Sequence, residues 1–243
     1  MRKRELDSSE GVRNRFDSEA EHESIIWDGV TRSRTLIEDV ARLRQDLAEF
    51  AKKYNWPKVL GLLSENQQLV NATRPDGHSL CSPLHQAAHG GAGVEVVTAL
   101  LKFGAFRTLK TSDAKRAVDI ARIRSHSHLF QILEPVYEQH VPATVLSRIQ
   151  MNFHTVIHGR AQRMVDEHSL RLPELEPMLE FGRRRFWFAV PEMYGGFAYW
   201  LAESGPNAKL ISESWCRVVG GSGQRHEISD SGVRLVDEGS CEV

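Results

Sequence analysis

The sequence predicts an α+β protein, a short helical repeat array followed by a helix and a small antiparallel β domain. Apolar residues recur at helical spacing from Leu36 onward, and a short motif then returns at nearly constant intervals. From Phe186 the texture changes to short β-type runs separated by glycine-rich turns. The expected organisation is a mobile charged tail over 1–33, the array with a capping helix over 34–140, and a C-terminal α+β domain of unknown role over 141–243.

Composition narrows the function classes. The chain has 243 residues, 41% hydrophobic and 26% charged, in the ordinary globular range. With 31 Lys and Arg against 32 Asp and Glu, the net charge is −1, which disfavours a phosphate-binding surface spread over the whole molecule. No apolar run approaches the roughly 18 residues needed to span a bilayer, so no membrane association is expected. The basic opening Met1-Arg2-Lys3-Arg4 has no apolar stretch behind it and does not read as a secretory signal. Cys81, Cys216 and Cys241 are odd in number and widely spaced, which implies no disulfide framework and makes a reducing cytoplasm the expected setting.

The elements follow in order. Residues 1 to about 22 hold few large apolar side chains and cannot offset the entropy of ordering. Leu36, Val40, Leu43, Leu47 and Phe50 form one face of a helix. Pro57 marks the start of a second helix, because proline's missing N–H is not needed in the first turn; Val59, Leu62 and Leu63 continue its apolar face. Ala51, Ala88 and Ala121 are each followed, after similar gaps, by an aliphatic pair: Leu62-Leu63, Leu100-Leu101 and Ile132-Leu133. Each unit reads as helix, tight turn, helix and polar loop.

The best unit is Asp76-Gly77, Ser82-Pro83-Leu84-His85-Gln86-Ala87-Ala88, Val96-Val97, Leu100-Leu101 and Gly104-Ala105. It resembles the ankyrin-repeat family, with Ser82 in place of the family's threonine as helix cap. The following unit, Ala117-Val118-Asp119-Ile120-Ala121, looks like a degenerate late repeat, and the first keeps Phe50-Ala51, Val59 and Leu62-Leu63. The resemblance covers about residues 45–135. It implies a scaffold without intrinsic chemistry that binds a protein partner on a concave face of loop tips and inner helices. On it the displayed loop residues are Arg74, Asp76, His78, Arg107, Lys110 and Ser112, with Gln86 and His89 on the inner helix. An immunity-type or regulatory protein, built to block one partner, is a specific version of this expectation.

Beyond Pro135 and Pro142, residues 143–168 read as one helix with Val145, Ile149, Phe153, Val156 and Ile157 on one side. Strands are expected from Phe186 to Val190, Phe197 to Leu201, Leu210 to Val219, Arg225 to Ile228 and Val233 to Val236, as an antiparallel meander packed on that helix. Four constellations invite chemistry. Cys81, His85 and His89 are spaced by fours, but His85 belongs to the repeat motif and a fourth ligand is missing, so no metal is expected. Cys216 and His226 could approach across a hairpin, with Glu227 beside them, as a cysteine hydrolase or transferase would need; a mid-strand cysteine more often fills core space. Gly220 to Gly223 leads into a strand and not a helix, so it reads as a hairpin turn, and no cofactor is expected. Arg183-Arg184-Arg185 before Phe186-Trp187-Phe188 has the composition of a single-strand nucleic-acid site, yet with near-neutral charge solvated arginines are the better reading.

Overall fold

Local chemistry sets where the helices begin. The Asn55 side chain accepts a hydrogen bond from the Lys58 amide and Pro57 lies in the first turn, opening the helix Trp56–Glu65. Pro83 opens the helix Pro83–Gly90 in the same way, and Gly91 ends it with φ +62°, a left-handed geometry that glycine takes at no steric cost. The computed structural model describes residues 24–217 and 221–240. Most of the expected tail, the end of the Leu210 to Val219 run, Gly220 and Cys241 lie outside the described residues.

Seven α-helices occur among the described residues: α1 (Glu38–Lys52), α2 (Trp56–Glu65), α3 (Pro83–Gly90), α4 (Val94–Lys102), α5 (Ala117–Ile123), α6 (Phe130–Leu133) and α7 (Ala143–His168). The first six form three stacked pairs, with α1, α3 and α5 packed in one row and α2, α4 and α6 in the other. The recurring small residues let the inner row approach closely: Ala51, Ala88 and Ala121 are all buried, as is one member of each aliphatic pair, Leu63, Leu100 and Leu133. α7 is kinked at Ala161, which is buried with non-helical φ −143° and ψ 21°.

The strands are β1 (Ile25–Ile26), β2 (Phe186–Val190), β3 (Gly195–Glu203), β4 (Lys209–Cys216), β5 (Ser222–Ser229) and β6 (Gly232–Ser240). They make one mixed sheet in the order β1 to β6, with β1 parallel to β2 and every other neighbour antiparallel. One sheet face, carrying Phe186, Phe188, Phe197, Tyr199, Leu201, Leu210 and Ile228, packs against Ile149, Phe153, Val156 and Ile157 of α7.

This overturns the expectation of an array followed by a small antiparallel β domain, although the α+β class fits. The sheet has six strands, is mixed, and takes its first strand from the N-terminal segment. The Ile25 amide donates to the Arg185 carbonyl (2.9 Å) and the Trp27 amide to that of Trp187 (2.8 Å). Trp27, Phe106 and Leu109, from the N-terminal segment and an array loop, belong to the same apolar core as the sheet and α7. A two-residue strand has no periodicity to read in sequence, and Phe106 and Leu109 lie in a loop whose burial depends on what packs over it.

Trp27 is the pivot of the N-terminal segment: it is 2% exposed, lies parallel to Phe106 with ring centroids 6.4 Å apart, and donates from Nε1 to the Arg171 carbonyl (3.0 Å). Trp27→Ala is expected to cost about 3–5 kcal/mol, read by chemical denaturation. A loss under about 1 kcal/mol would show that the segment is peripheral.

Candidate functional site

The loop tips of the array are where a partner face was expected, and the structure divides them in two. Arg107 and Lys110 reach across to the segment 176–180. Glu180 is 8% exposed and takes the Thr108 amide (2.9 Å) and hydroxyl (2.6 Å) on one oxygen and the Arg107 amide (3.1 Å) on the other. Arg107 Nη1 lies 3.8 Å from the same carboxylate, and its Nε donates to the Ile132 carbonyl (3.0 Å). Burial raises the Glu180 pKa, outweighing the Thr108 and Arg107 interactions that lower it. Lys110 pairs with Glu176 (2.9 Å), which also binds Arg116 and accepts from the Tyr137 hydroxyl (2.8 Å). Burial and that bond push the Tyr137 phenol up to about 12. Arg107 and Lys110, expected on a partner face, are both paired with this segment while part of each side chain stays in solvent. The missed residue, Glu180, had one sequence signal, a lone carboxylate inside the apolar run Met178-Leu179-Glu180-Phe181.

The other tips stay open. The Asp76 amide donates to the Thr31 carbonyl (2.8 Å), and the Ser112 amide to that of Ser79 (3.0 Å), so backbone bonds tie neighbouring loops together. Asp76 is exposed with φ 59°, its carboxylate accepts from the Ser33 amide and is lowered in pKa chiefly by the Ser33 hydrogen bond, and His78 is exposed as well. Arg74 pairs with Glu49 of α1 at 2.9 Å. Arg74 and Gln86 line one cleft of about 140 Å³ with Ala48, Lys52, Ser79 and Cys81. His89 lies apart, at the far end of α3, where its Nδ1 is 2.7 Å from the Tyr54 hydroxyl and its carbonyl is 3.2 Å from His126 Nε2.

His85 sits beneath this surface. Its Nδ1 accepts from the Ser82 amide (3.1 Å) and its Nε2 lies 3.0 Å from the Leu109 carbonyl, so both ring nitrogens are engaged between successive loops. Among the described residues no group of three or more His, Cys, Asp or Glu could hold a metal ion.

The pairing register separates the alternative catalytic set. Cys216 stands opposite Ser222 and His226 opposite Ser212, four residues along β4, which is about 13 Å at the usual strand rise. The turn brings the two strands together, but not those two side chains, so the expected approach of Cys216 to His226 does not occur. Glu227 points to the other face, near Arg234 (3.2 Å) and Lys209 (3.9 Å). His226 lies in line with Ser212 and Tyr199 across three strands. Its pKa is lowered by burial and then by Arg160, which is held by Ser214 and Ser222. On the opposite face Trp187 and Trp215 stack with centroids 4.6 Å apart. Arg185 lies 4.0 Å over Trp200 and 3.5 Å from Glu213. All three arginines of the run are exposed, Arg185 with its guanidinium over Trp200.

No helix among the described residues is long and apolar enough to cross a membrane. No family model matches the chain, and no curated protein does. Among solved structures the chain is similar to a chain of the Bd0816 predatory endopeptidase from Bdellovibrio bacteriovorus in complex with immunity protein Bd3460, at 20% identity and a TM-score of 0.32. The match covers 49% of this chain and 65% of that one, less than two thirds of its length. A likeness of that size transfers neither fold nor partner.

Two outcomes can be measured. His85 is fully buried with its pKa lowered to about 4, chiefly by desolvation. The unfolded chain therefore takes up a proton first, and stability is expected to fall as pH drops from about 6.5 to about 4. His89, His154 and His226, also lowered by burial, act in the same direction. Denaturant titrations at stepped pH should show a shallower slope in His85→Asn; an unchanged slope would remove His85 as the cause. Separately, His226→Ala should leave the alkylation rate of Cys216 within about twofold, because a base acts only at hydrogen-bond reach. A clear slowing would reinstate the pair.

Proposed function

We propose that this chain binds a protein partner on the open concave side of an ankyrin-type array, through Arg74, Asp76, His78, Gln86 and Ser112. The observation that carries this reading is the cleft between α1, α3 and the first loop tip, where Arg74 and Gln86 line one depression. Polar side chains held on stacked helices and backbone-bonded tips are preorganised, which lowers the entropy lost on binding. Arg107 and Lys110 contribute by fixing the loop and not by touching the partner. A regulatory or immunity-type role, in which the bound partner is blocked, is the finer form of the same reading, with no chemistry required of the array itself.

The test compares variants. The full chain and Met151→Lys, altered at an exposed site on α7, should retain the same protein from native lysate. Gln86→Arg and His78→Glu should retain about tenfold less or lower still, with unfolding midpoints unchanged. Equal retention by all four would rule the cleft out as the partner site.

A further inference from the structure

β6 ends the sheet, and among the described residues no strand pairs with its outer edge. It is nine residues long and carries Val233, Leu235 and Val236 at 43%, 48% and 46% exposure. A long strand edge left unpaired is a template for another strand. What distinguishes this one is its own sequence, Gly232-Val-Arg-Leu-Val-Asp-Glu-Gly239, whose central four residues complement themselves when reversed. Gly232 then meets Gly239, Val233 meets Glu238, Arg234 meets Asp237 and Leu235 meets Val236.

The register within the monomer makes that pairing stereochemically consistent. Arg234 lies opposite Glu227 and Asp237 opposite Arg225, but the shift between Arg225 and His226 leaves Val236 as an extra residue in β6. A regular strand would put Arg234 and Asp237, three apart, on opposite faces. The inserted residue returns them to one face. Val233 and Glu238 share the other face for the same reason. Arg234 already lies 3.2 Å from its own Glu227, so its fork faces a carboxylate on one side and is free to meet a second.

We propose that β6 pairs antiparallel with β6 of a second copy of this chain, about a two-fold axis between Leu235 and Val236. The contact is isologous: two Arg234–Asp237 pairs flank two Leu235–Val236 contacts, and the two sheets join into one. It lies on the sheet edge, away from the array cleft, and stands or falls independently of the partner reading.

Sedimentation equilibrium of the full chain across a concentration series tests it. The wild type should approach twice the monomer mass of 27.5 kDa. Arg234→Asp and Asp237→Arg each place like charges opposite one another and should raise the dissociation constant roughly tenfold or more. The double exchange, Arg234→Asp with Asp237→Arg, restores both pairs and should restore association. Val236→Lys, at the centre, should dissociate the dimer. All three positions are exposed, and circular dichroism of each variant checks that it is folded. A wild type that stays monomeric at every concentration overturns the proposal. So does association indifferent to the single exchanges, or a double exchange that recovers nothing.

Discussion

The carboxylate of Glu180 decides how the molecule is put together. Carrying a charge into an apolar segment is costly unless its lone pairs are met. Here they are met by the amides of Arg107 and Thr108 and by the Thr108 hydroxyl, three donors from one array loop. Neither side is satisfied without the other. Once that loop is held, Phe106 and Leu109 enter the core shared with the sheet and α7, and the Leu109 carbonyl is left in place for His85.

A second buried charge closes the other side. Arg44 of α1 reaches the Asp28 carboxylate at 2.9 Å and the Val30 carbonyl at 3.2 Å, with both charged side chains under a tenth exposed. That contact holds the N-terminal segment against the helices while its backbone bonds to β2 through Ile25 and Trp27. The segment thereby runs between array and sheet, bonded to both. Removing one partner of such a pair strands the other, so each acts more as a specifier of geometry than as a net source of stability.

These anchors set which surfaces stay available. On the C-terminal side Arg107 pairs with Glu180, and Lys110 and Arg116 with Glu176, while Arg74 and Gln86 line a separate cleft of the helical stack. On the sheet, α7 covers one face. The other keeps its own order through the Trp187–Trp215 stack and the Arg185–Trp200–Arg225 layering.

The sequence by itself determined the local elements. Pro57 and Pro83 placed helix starts because proline suits a first turn. The alanines 51, 88 and 121 marked close-packed positions in the inner row. The glycine-bounded aromatic runs from Phe186 onward marked strands, since alternating apolar residues fit a half-buried pleat. These signals are short-range and repeat with the period of the element that carries them. Tertiary structure alone decided the rest. Ile25–Ile26 is too short to show a period, and pairs only because β2 offers a free edge. Arg107 and Lys110 look like any exposed loop cations until Glu176 and Glu180, some 70 residues away in sequence, fold over them. Cys216 and His226 share a hairpin, but register, set by cross-strand packing and not by the turn's composition, holds them four residues apart.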